Sequence, residues 1–206
     1  PWAEMWSEWD GPQIERELRL ARDQLGINMV RVLLPDSLSR DGRGNPVVGE
    51  RVLNRMRQLA QIAGDLDLRL MVALFDFSEA FPAAGTQAEA AQLAYLRTLI
   101  GNFAGDERIV AWDIHNEPDH YELWRAGRAP EVLDWLGRMA DEVRRLAPNQ
   151  LVTVGMAQYQ HLLAAGPDGR RVVDYSDVVS VHIYNAADAA RQLDELRRAT
   201  GKPIPL

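Results

Sequence analysis

Residues 109–119 read IVAWDIHNEPD, and this stretch changes character halfway along. Its first residues are largely apolar, as in a buried strand, whereas its second half carries acids, an imidazole and an amide before Pro118 ends it. In parallel α/β folds ligands sit beyond the carboxyl ends of the strands, so polar side chains collect there. The stretch therefore predicts a strand that ends in a functional site. Glu117 is the residue in it whose function most needs to be explained.

Strand-like and helix-like segments alternate along the rest of the chain. Apolar runs predict strands at residues 27–34, 68–77, 109–116, 151–156 and 177–184, with the opening of a further strand at 202–206. Between them, apolar residues at helical spacing predict helices at residues 12–25, 52–66, 88–103, 129–147 and 186–199. The opening segment has no strand period and is predicted to be a loop. This repeat favours a parallel sheet with helices outside it.

The choice between a (β/α)8 barrel and an open doubly wound sheet depends on where the polar residues fall. A doubly wound nucleotide fold would carry a glycine-rich phosphate turn, and neither G-x-G-x-x-G nor G-x-x-x-x-G-K-S/T occurs. Polar residues instead end several different strands: Arg31, Asp76, His115 to Glu117, His182 and Tyr184. Side chains from many strand ends converge at the mouth of a barrel. We therefore predict an α/β fold, a (β/α)8 TIM barrel, with residues 1–206 forming one partial catalytic domain.

The composition of the chain argues against several classes of binding partner. The formal net charge is −7 and no basic run occurs, which argues against binding a nucleic acid or an anionic membrane surface. The chain has no cysteine, so disulfides and thiolate zinc sites are excluded. No apolar run approaches the roughly 18 residues that a membrane helix needs. We expect neither nucleic acid nor membrane as a partner.

Three motifs carry a resemblance to a known family. WDIHNEPD at residues 112–119 resembles the strand-end signature of the clan A glycoside hydrolases, and the whole chain is most similar to family 5, the cellulase-like barrels. The pattern N-x-V-R-V-x-x-P at residues 28–35 and the H-x-Y at 182–184 match the same family in the same order. The resemblance implies that Glu117 is the general acid/base and that Asn116 holds the 2-hydroxyl of the sugar. It implies that Arg31 orients the nucleophile, and that His182 and Tyr184 line the subsite where the bond is cleaved.

The resemblance also implies the activity of the intact protein. We expect a retaining O-glycoside hydrolase that cleaves β-linked saccharides of the glucan or mannan type by double displacement, without a metal or cofactor. Its nucleophile would be a second Glu on the seventh strand, beyond Leu206, and strands 1 and 8 would also be missing. The chain is therefore expected to be an inactive fragment. The family resemblance favours a monomer that is secreted or periplasmic. Trp2 and Trp6 would lie after the missing first strand, where their rings could stack on substrate.

Other interpretations remain open. Arg31 could be a structural ion-pair partner, His182 and Tyr184 a hydrogen-bonded core pair, and the Trp cluster hydrophobic packing under a loop. Asp113 and His115 could support the site or only fill the barrel interior, and Asp76 matches no motif of the family. The chain could also be a metal-dependent barrel hydrolase, or a barrel that binds a glycan without cleaving it. Candidate ligands for such a metal are His115, Glu117, Asp119, His120 and His182.

Overall fold

A computed structural model describes residues 4–204, and within them five parallel strands form one sheet. The strands are β1 (Met29–Pro35), β2 (Arg69–Asp76), β3 (Ile109–Asn116), β4 (Leu151–Met156) and β5 (Ser180–Val181). Their order in the sheet follows their order in the chain, and all four pairings are parallel. A doubly wound sheet reverses its strand order at a switch point, whereas a barrel keeps the chain order. The prediction of an incomplete (β/α)8 barrel is confirmed.

Except between β4 and β5, where the connection contains only 3-10 helices, the strands are separated by α-helices. They are α1 (Glu4–Ser7), α2 (Gly11–Leu25), α3 (Glu50–Asp65), α4 (Gln87–Gly101), α5 (Ala129–Leu146) and α6 (Ala186–Thr200). Side chains of Asp10, Thr86 and Asn185 accept hydrogen bonds from the first turns of α2, α4 and α6. No helix within residues 4–204 is long and apolar enough to span a bilayer.

Three predicted segments differ from the structure. Residues 4–7, predicted as loop, form the short helix α1. The predicted strand at 177–184 contracts to Ser180–Val181, although backbone bonds from Asp177 to Val152 and from His182 to Met156 continue on either side of it. In the last predicted strand, the carbonyl of Pro203 accepts from Val179, but residues 202–204 are not a regular strand and 205–206 lie outside the described residues.

The two faces of the sheet have different side chains. The face toward the helices carries large apolar residues, all fully buried: Leu70, Val72, Leu74, Trp112, Ile114, Val152 and Val154. On the other face, the strand register aligns Ala73, Asp113 and Thr153 across β2, β3 and β4. These three inward residues are small or polar. They leave room inside the barrel for long polar side chains from neighbouring strands.

The buried side chain of Gln150 forms hydrogen bonds at the amino ends of β3 and β4. The Oε1 of Gln150 accepts from the indole N–H of Trp112 at 2.8 Å. Its Nε2 donates to the carbonyls of Phe103 at 3.0 Å and Ile109 at 2.8 Å. The amide of Gln150 thus provides hydrogen-bond partners for the indole N–H and for carbonyls of the connection between α4 and β3, where water has little access.

The Gln150→Leu variant tests how much these hydrogen bonds contribute to stability. Leucine leaves the indole N–H and two buried carbonyls without partners, so we expect a loss of about 2–4 kcal/mol in the free energy of unfolding. Urea unfolding measures it, with exposed Gln160→Leu as the control that should change stability by less than about 0.5 kcal/mol. An equally small effect at position 150 would contradict the structural role.

Candidate active site

Glu117 occupies a strained turn directly after β3. Its backbone lies in the left-handed region, with φ 50° and ψ 55°, and its N–H donates to the carbonyl of Gly155 at 2.7 Å. A residue other than glycine pays roughly 1–3 kcal/mol for such a conformation, and this kind of strain is concentrated at functional sites. The turn leaves the Glu117 side chain 15% exposed at the carboxyl end of the sheet.

His182 and Tyr184, which follow β5, converge on the Glu117 carboxylate. The Nδ1 of His182 lies 2.6 Å from Oε1 of Glu117, and the hydroxyl of Tyr184 donates to the same oxygen. The structure thus brings together three residues that the sequence analysis placed in one site. Tyr184 is 81% exposed, so the cluster opens to solvent on its side.

These contacts set the protonation of the cluster. Burial raises the pKa of Glu117, but the hydrogen bonds from Tyr184 and His182 together outweigh burial, and the pKa lies below its ordinary value. The same hydrogen bond raises the pKa of Tyr184 to about 12, so its hydroxyl stays a donor at neutral pH. Glu117 is therefore ionised in this arrangement, and a role as proton donor needs a further negative group beside it.

Arg31, at the centre of β1, is held in a fixed orientation. Its Nε and Nη2 donate to Oδ2 of Asp113 at 2.9 and 2.7 Å, and Nη2 also donates to Oδ1 of Asn116 at 3.1 Å. The other oxygen of Asp113 accepts from the N–H of Gly155 at 2.9 Å. Because its amide oxygen is occupied by Arg31, Asn116 is left with its NH2 group as a donor.

Gly155, in β4, is closely approached by side chains of the site. The sequence analysis did not identify it as a site residue. A Cβ at this position would lie 2.9 Å from Nη2 of Arg31, 3.0 Å from Oδ2 of Asp113 and 3.1 Å from Nε2 of His182. The first separation is shorter than real Cβ atoms show, and the other two are tighter than most contacts that Cβ atoms make. The available signal was a glycine inside a predicted strand, which often marks a close approach of other groups to the backbone.

Asp76 at the end of β2 is a second residue that motif matching left out. Its side chain is fully buried, and neither carboxyl oxygen makes a hydrogen bond of standard geometry with the described residues. Burial raises its pKa to about 6, although the charge of Arg31 and contacts from Phe77 and Asn116 act in the opposite direction. A buried acid with a raised pKa beside Arg31 and Asn116 belongs electrostatically to the site.

Trp6 corrects one sequence prediction. It lies in α1 with 2% of its surface exposed, and its indole N–H donates to the carbonyl of Leu33 at 2.7 Å. The ring packs in the core and offers no face to a sugar, so the stacking role predicted for Trp6 is withdrawn. Trp2, the other candidate, lies outside the described residues.

His115 and Asp119 support the loops around the site. Both ring nitrogens of buried His115 lie 2.9 Å from carbonyl oxygens, those of Asn116 and Ser78. The carboxylate of Asp119 accepts from the N–H groups of Ala157 and Gln158, and it contacts the ring of His161 at 2.8 Å. Within residues 4–204, no group of three or more His, Asp or Glu side chains is arranged to hold a metal ion.

The Asp76→Asn variant tests the raised pKa of Asp76. The unfolded carboxyl releases its proton near pH 3.8 and the native one near pH 6, so the native state binds the proton more tightly and stability falls as the pH rises across this window. Asparagine removes that cost. At about 1.4 kcal/mol per pKa unit, we expect the variant to gain up to about 3 kcal/mol at pH 7.5 and almost nothing at pH 4.

Urea unfolding of wild type and variant at the two pH values measures this difference. The control is Asp23→Asn on the exposed surface, where the effect should stay below about 0.5 kcal/mol at both pH values. Destabilisation by Asp76→Asn at pH 7.5 would mean that the ionised carboxylate makes net favourable contacts.

The family model for cellulase (glycosyl hydrolase family 5) matches residues 1–202. A search of curated protein sequences gives no significant match.

Solved structures with a similar fold include three enzymes named as acting on mannose polymers or mannosides. The endo-1,4-β-mannanase of Rhizomucor miehei is 16% identical at a TM-score of 0.75, with 98% of this chain and 74% of that chain covered. The β-mannanase of the blue mussel Mytilus edulis is 16% identical at 0.67, with 85% and 64% covered. The exo-β-1,4-mannosidase of Opitutaceae bacterium strain TAV5 is 22% identical at 0.69, with 87% and 35% covered.

At these identities the solved structures show the shared fold alone. The chain spans 64% of the mussel enzyme and half of a GH5_18 protein from Streptomyces cattleya, so it corresponds to part of such a barrel. The family model covers nearly the whole chain. The chain therefore belongs to glycosyl hydrolase family 5.

Proposed function

We propose that the intact protein is a retaining O-glycoside hydrolase that cleaves β-linked oligo- or polysaccharides of the glucan or mannan type. The observation that carries the proposal is the placement of Glu117 between the donors of His182 and Tyr184, beside the Arg31–Asn116 pair. Family membership supports the reaction class. The names of the mannanase and mannosidase neighbours support β-linked mannan as one candidate substrate.

Retaining hydrolysis needs two carboxyl groups about 5–5.5 Å apart, one protonated and one ionised. The main influences on the pKa of Glu117 within the described residues are burial, Tyr184, His182 and His120, and none of these is an acidic side chain. We place the nucleophile, a second glutamate, outside these 206 residues. Its charge would raise the pKa of Glu117 and make it the acid that protonates the leaving oxygen. Once the nucleophile is glycosylated the repulsion ends, and Glu117 becomes the base that activates water.

The remaining residues position the reacting groups. The guanidinium of Arg31, fixed by Asp113, would favour the ionised form of the nucleophile through its permanent charge. The NH2 group of Asn116 would donate to the 2-hydroxyl of the sugar. This hydrogen bond contributes to catalysis to the extent that it is stronger in the oxocarbenium-like transition state than in the bound substrate. In this proposal the 206-residue chain is inactive when it is separated from the nucleophile.

A glycan-binding barrel without catalysis is the second candidate. The lowered pKa of Glu117 favours it, since a permanently ionised carboxylate accepts hydrogen bonds from sugar hydroxyls but cannot protonate a leaving group. A metal-dependent hydrolase remains a weaker candidate, because the described residues supply no cluster of metal ligands.

The Glu117→Gln variant of the full-length protein tests the acid role. Glutamine cannot donate a proton, so kcat/KM for aryl glycosides with poor leaving groups should fall about 10²–10⁴-fold, and substrates with good leaving groups should lose much less. Steady-state kinetics over a series of leaving groups measures the difference.

The matched control is Glu122→Gln, a neighbouring acid whose side chain is 80% exposed, and it should leave both rates unchanged. A loss no greater for poor leaving groups would remove Glu117 from the acid role. Saccharide binding by the wild-type protein without any turnover would favour the glycan-binding candidate.

A further inference from the structure

Asp119 lies two residues after Glu117, in the 3-10 turn Pro118–His120 that follows it directly. Its side chain is completely buried, although it carries an acid. A buried carboxylate is tolerated only where hydrogen-bond donors compensate for the loss of water around it. The donors around Asp119 therefore show which parts of the chain it holds together.

The carboxylate of Asp119 joins the turn after β3 to the loop after β4. Its Oδ1 accepts from the N–H of Ala157 and its Oδ2 from the N–H of Gln158, both at 2.9 Å. The same Oδ2 lies 2.8 Å from Nδ1 of His161. Hydrogen bonds to a charged acceptor are about twice as strong as neutral ones. Two neighbouring backbone N–H groups thus fix both the position and the orientation of this carboxylate.

The carboxyl end of β4 holds Glu117 on both sides. On the amino side, the N–H of Glu117 donates to the carbonyl of Gly155, near the end of β4, at 2.7 Å. On the carboxyl side, Asp119 is bound to Ala157 and Gln158, which come directly after β4. The left-handed backbone of Glu117 therefore lies between two attachments to one strand end. A strained conformation persists only where its surroundings impose it.

The direction of the Glu117 carboxylate depends on this backbone. Its Oε1 lies 2.6 Å from Nδ1 of His182 and accepts from the hydroxyl of Tyr184. If the turn relaxed to an ordinary backbone conformation, the side chain would leave these partners. A displacement of about 1 Å in a reacting group can cost about 100-fold in rate. Asp119 itself is shielded from solvent, so it acts on the reaction through the position of Glu117 and not by contact with substrate.

We propose that Asp119 is a positioning residue that keeps Glu117 in the conformation required for proton transfer. This inference rests on the proposed function, because it concerns the same acid group. Loss of the contacts of Asp119 impairs protonation of the leaving oxygen more than it impairs binding of the sugar. The effect is therefore greatest for substrates whose departure depends on a proton donor.

The Asp119→Asn variant of the full-length protein tests the inference. Asparagine has nearly the same size, but its NH2 group replaces one acceptor oxygen and faces a donor. We expect kcat/KM for aryl glycosides with poor leaving groups to fall about 100-fold, and substrates with good leaving groups to lose much less. Steady-state kinetics over a series of leaving groups measures the difference. An equal loss for both classes of substrate would overturn the inference.

Asp177→Asn is the matched control, because Asp177 has the same kind of contacts at the other end of β4. Its Oδ2 accepts from the N–H of Val152 at 2.8 Å, and its Oδ1 accepts from Arg144 at 2.9 Å. Both substitutions should lower the unfolding temperature. Only Asp119→Asn should change the dependence of kcat/KM on the leaving group. The same change in Asp177→Asn would mean that general destabilisation causes it, and the inference would be wrong.

A double variant tests whether Asp119 acts through Glu117. If it does, Glu117→Gln combined with Asp119→Asn loses no more activity than Glu117→Gln alone. A multiplicative loss, with the expected leaving-group dependence in Glu117→Gln, would overturn the inference and leave the proposed function intact. If Glu117→Gln shows no such dependence, the acid role in the proposed function fails, and the inference fails with it.

His161→Phe decides the question if Asp119→Asn does not fold. Phenylalanine keeps a ring against Trp124, whose centroid lies 4.9 Å from that of His161, and removes the nitrogen that contacts Asp119. The two backbone hydrogen bonds remain, so the loss for poor leaving groups should be smaller than in Asp119→Asn but again greater than the loss for good ones. An equal effect on both classes of substrate would overturn the inference.

Discussion

The buried carboxylate of Asp113 holds three strands together at the level where the site begins. One oxygen receives two hydrogen bonds from Arg31 of β1, and the other receives the N–H of Gly155 from β4. An ion pair inside a protein is tolerated only when further hydrogen bonds satisfy its charges, and removal of one partner is far more costly than replacement of both. The orientation of Arg31, and through it of Asn116, depends on this contact.

Space for the ion pair comes from the inward residues of the sheet. Ala73 of β2 and Gly155 of β4 are small, so the guanidinium of Arg31 reaches across the barrel interior to β3. Stability comes mainly from the opposite face, where large apolar residues pack against the helices. Two buried glutamines accept hydrogen bonds within that layer, Gln150 from the indole of Trp112 and Gln92 from the indole of Trp135. The fold thus separates the surface that stabilises it from the surface available for chemistry.

The sequence predicts the repeating architecture and most of the residues in the site, because strand and helix periods are local and the family motifs are contiguous. It does not predict contacts between distant segments. Trp6 looks the same in sequence whether it lines a cleft or donates to Leu33, and the contact between the Asp177 carboxylate and the N–H of Val152 joins residues 25 positions apart. The left-handed backbones of Phe77 and Glu117 are likewise invisible, since tertiary contacts impose them on residues that do not prefer them.

The turn at Glu117 has a consequence for substitutions at this position. Glycine adopts a left-handed backbone without penalty, so a mutation from Glu to Gly would relieve local strain as it removed the carboxylate. The strain alone therefore favours glycine at this position, whereas the hydrogen bonds from His182 and Tyr184 favour the glutamate. Under the proposed function, a variant with glycine at this position would lose its reactive group together with the local strain.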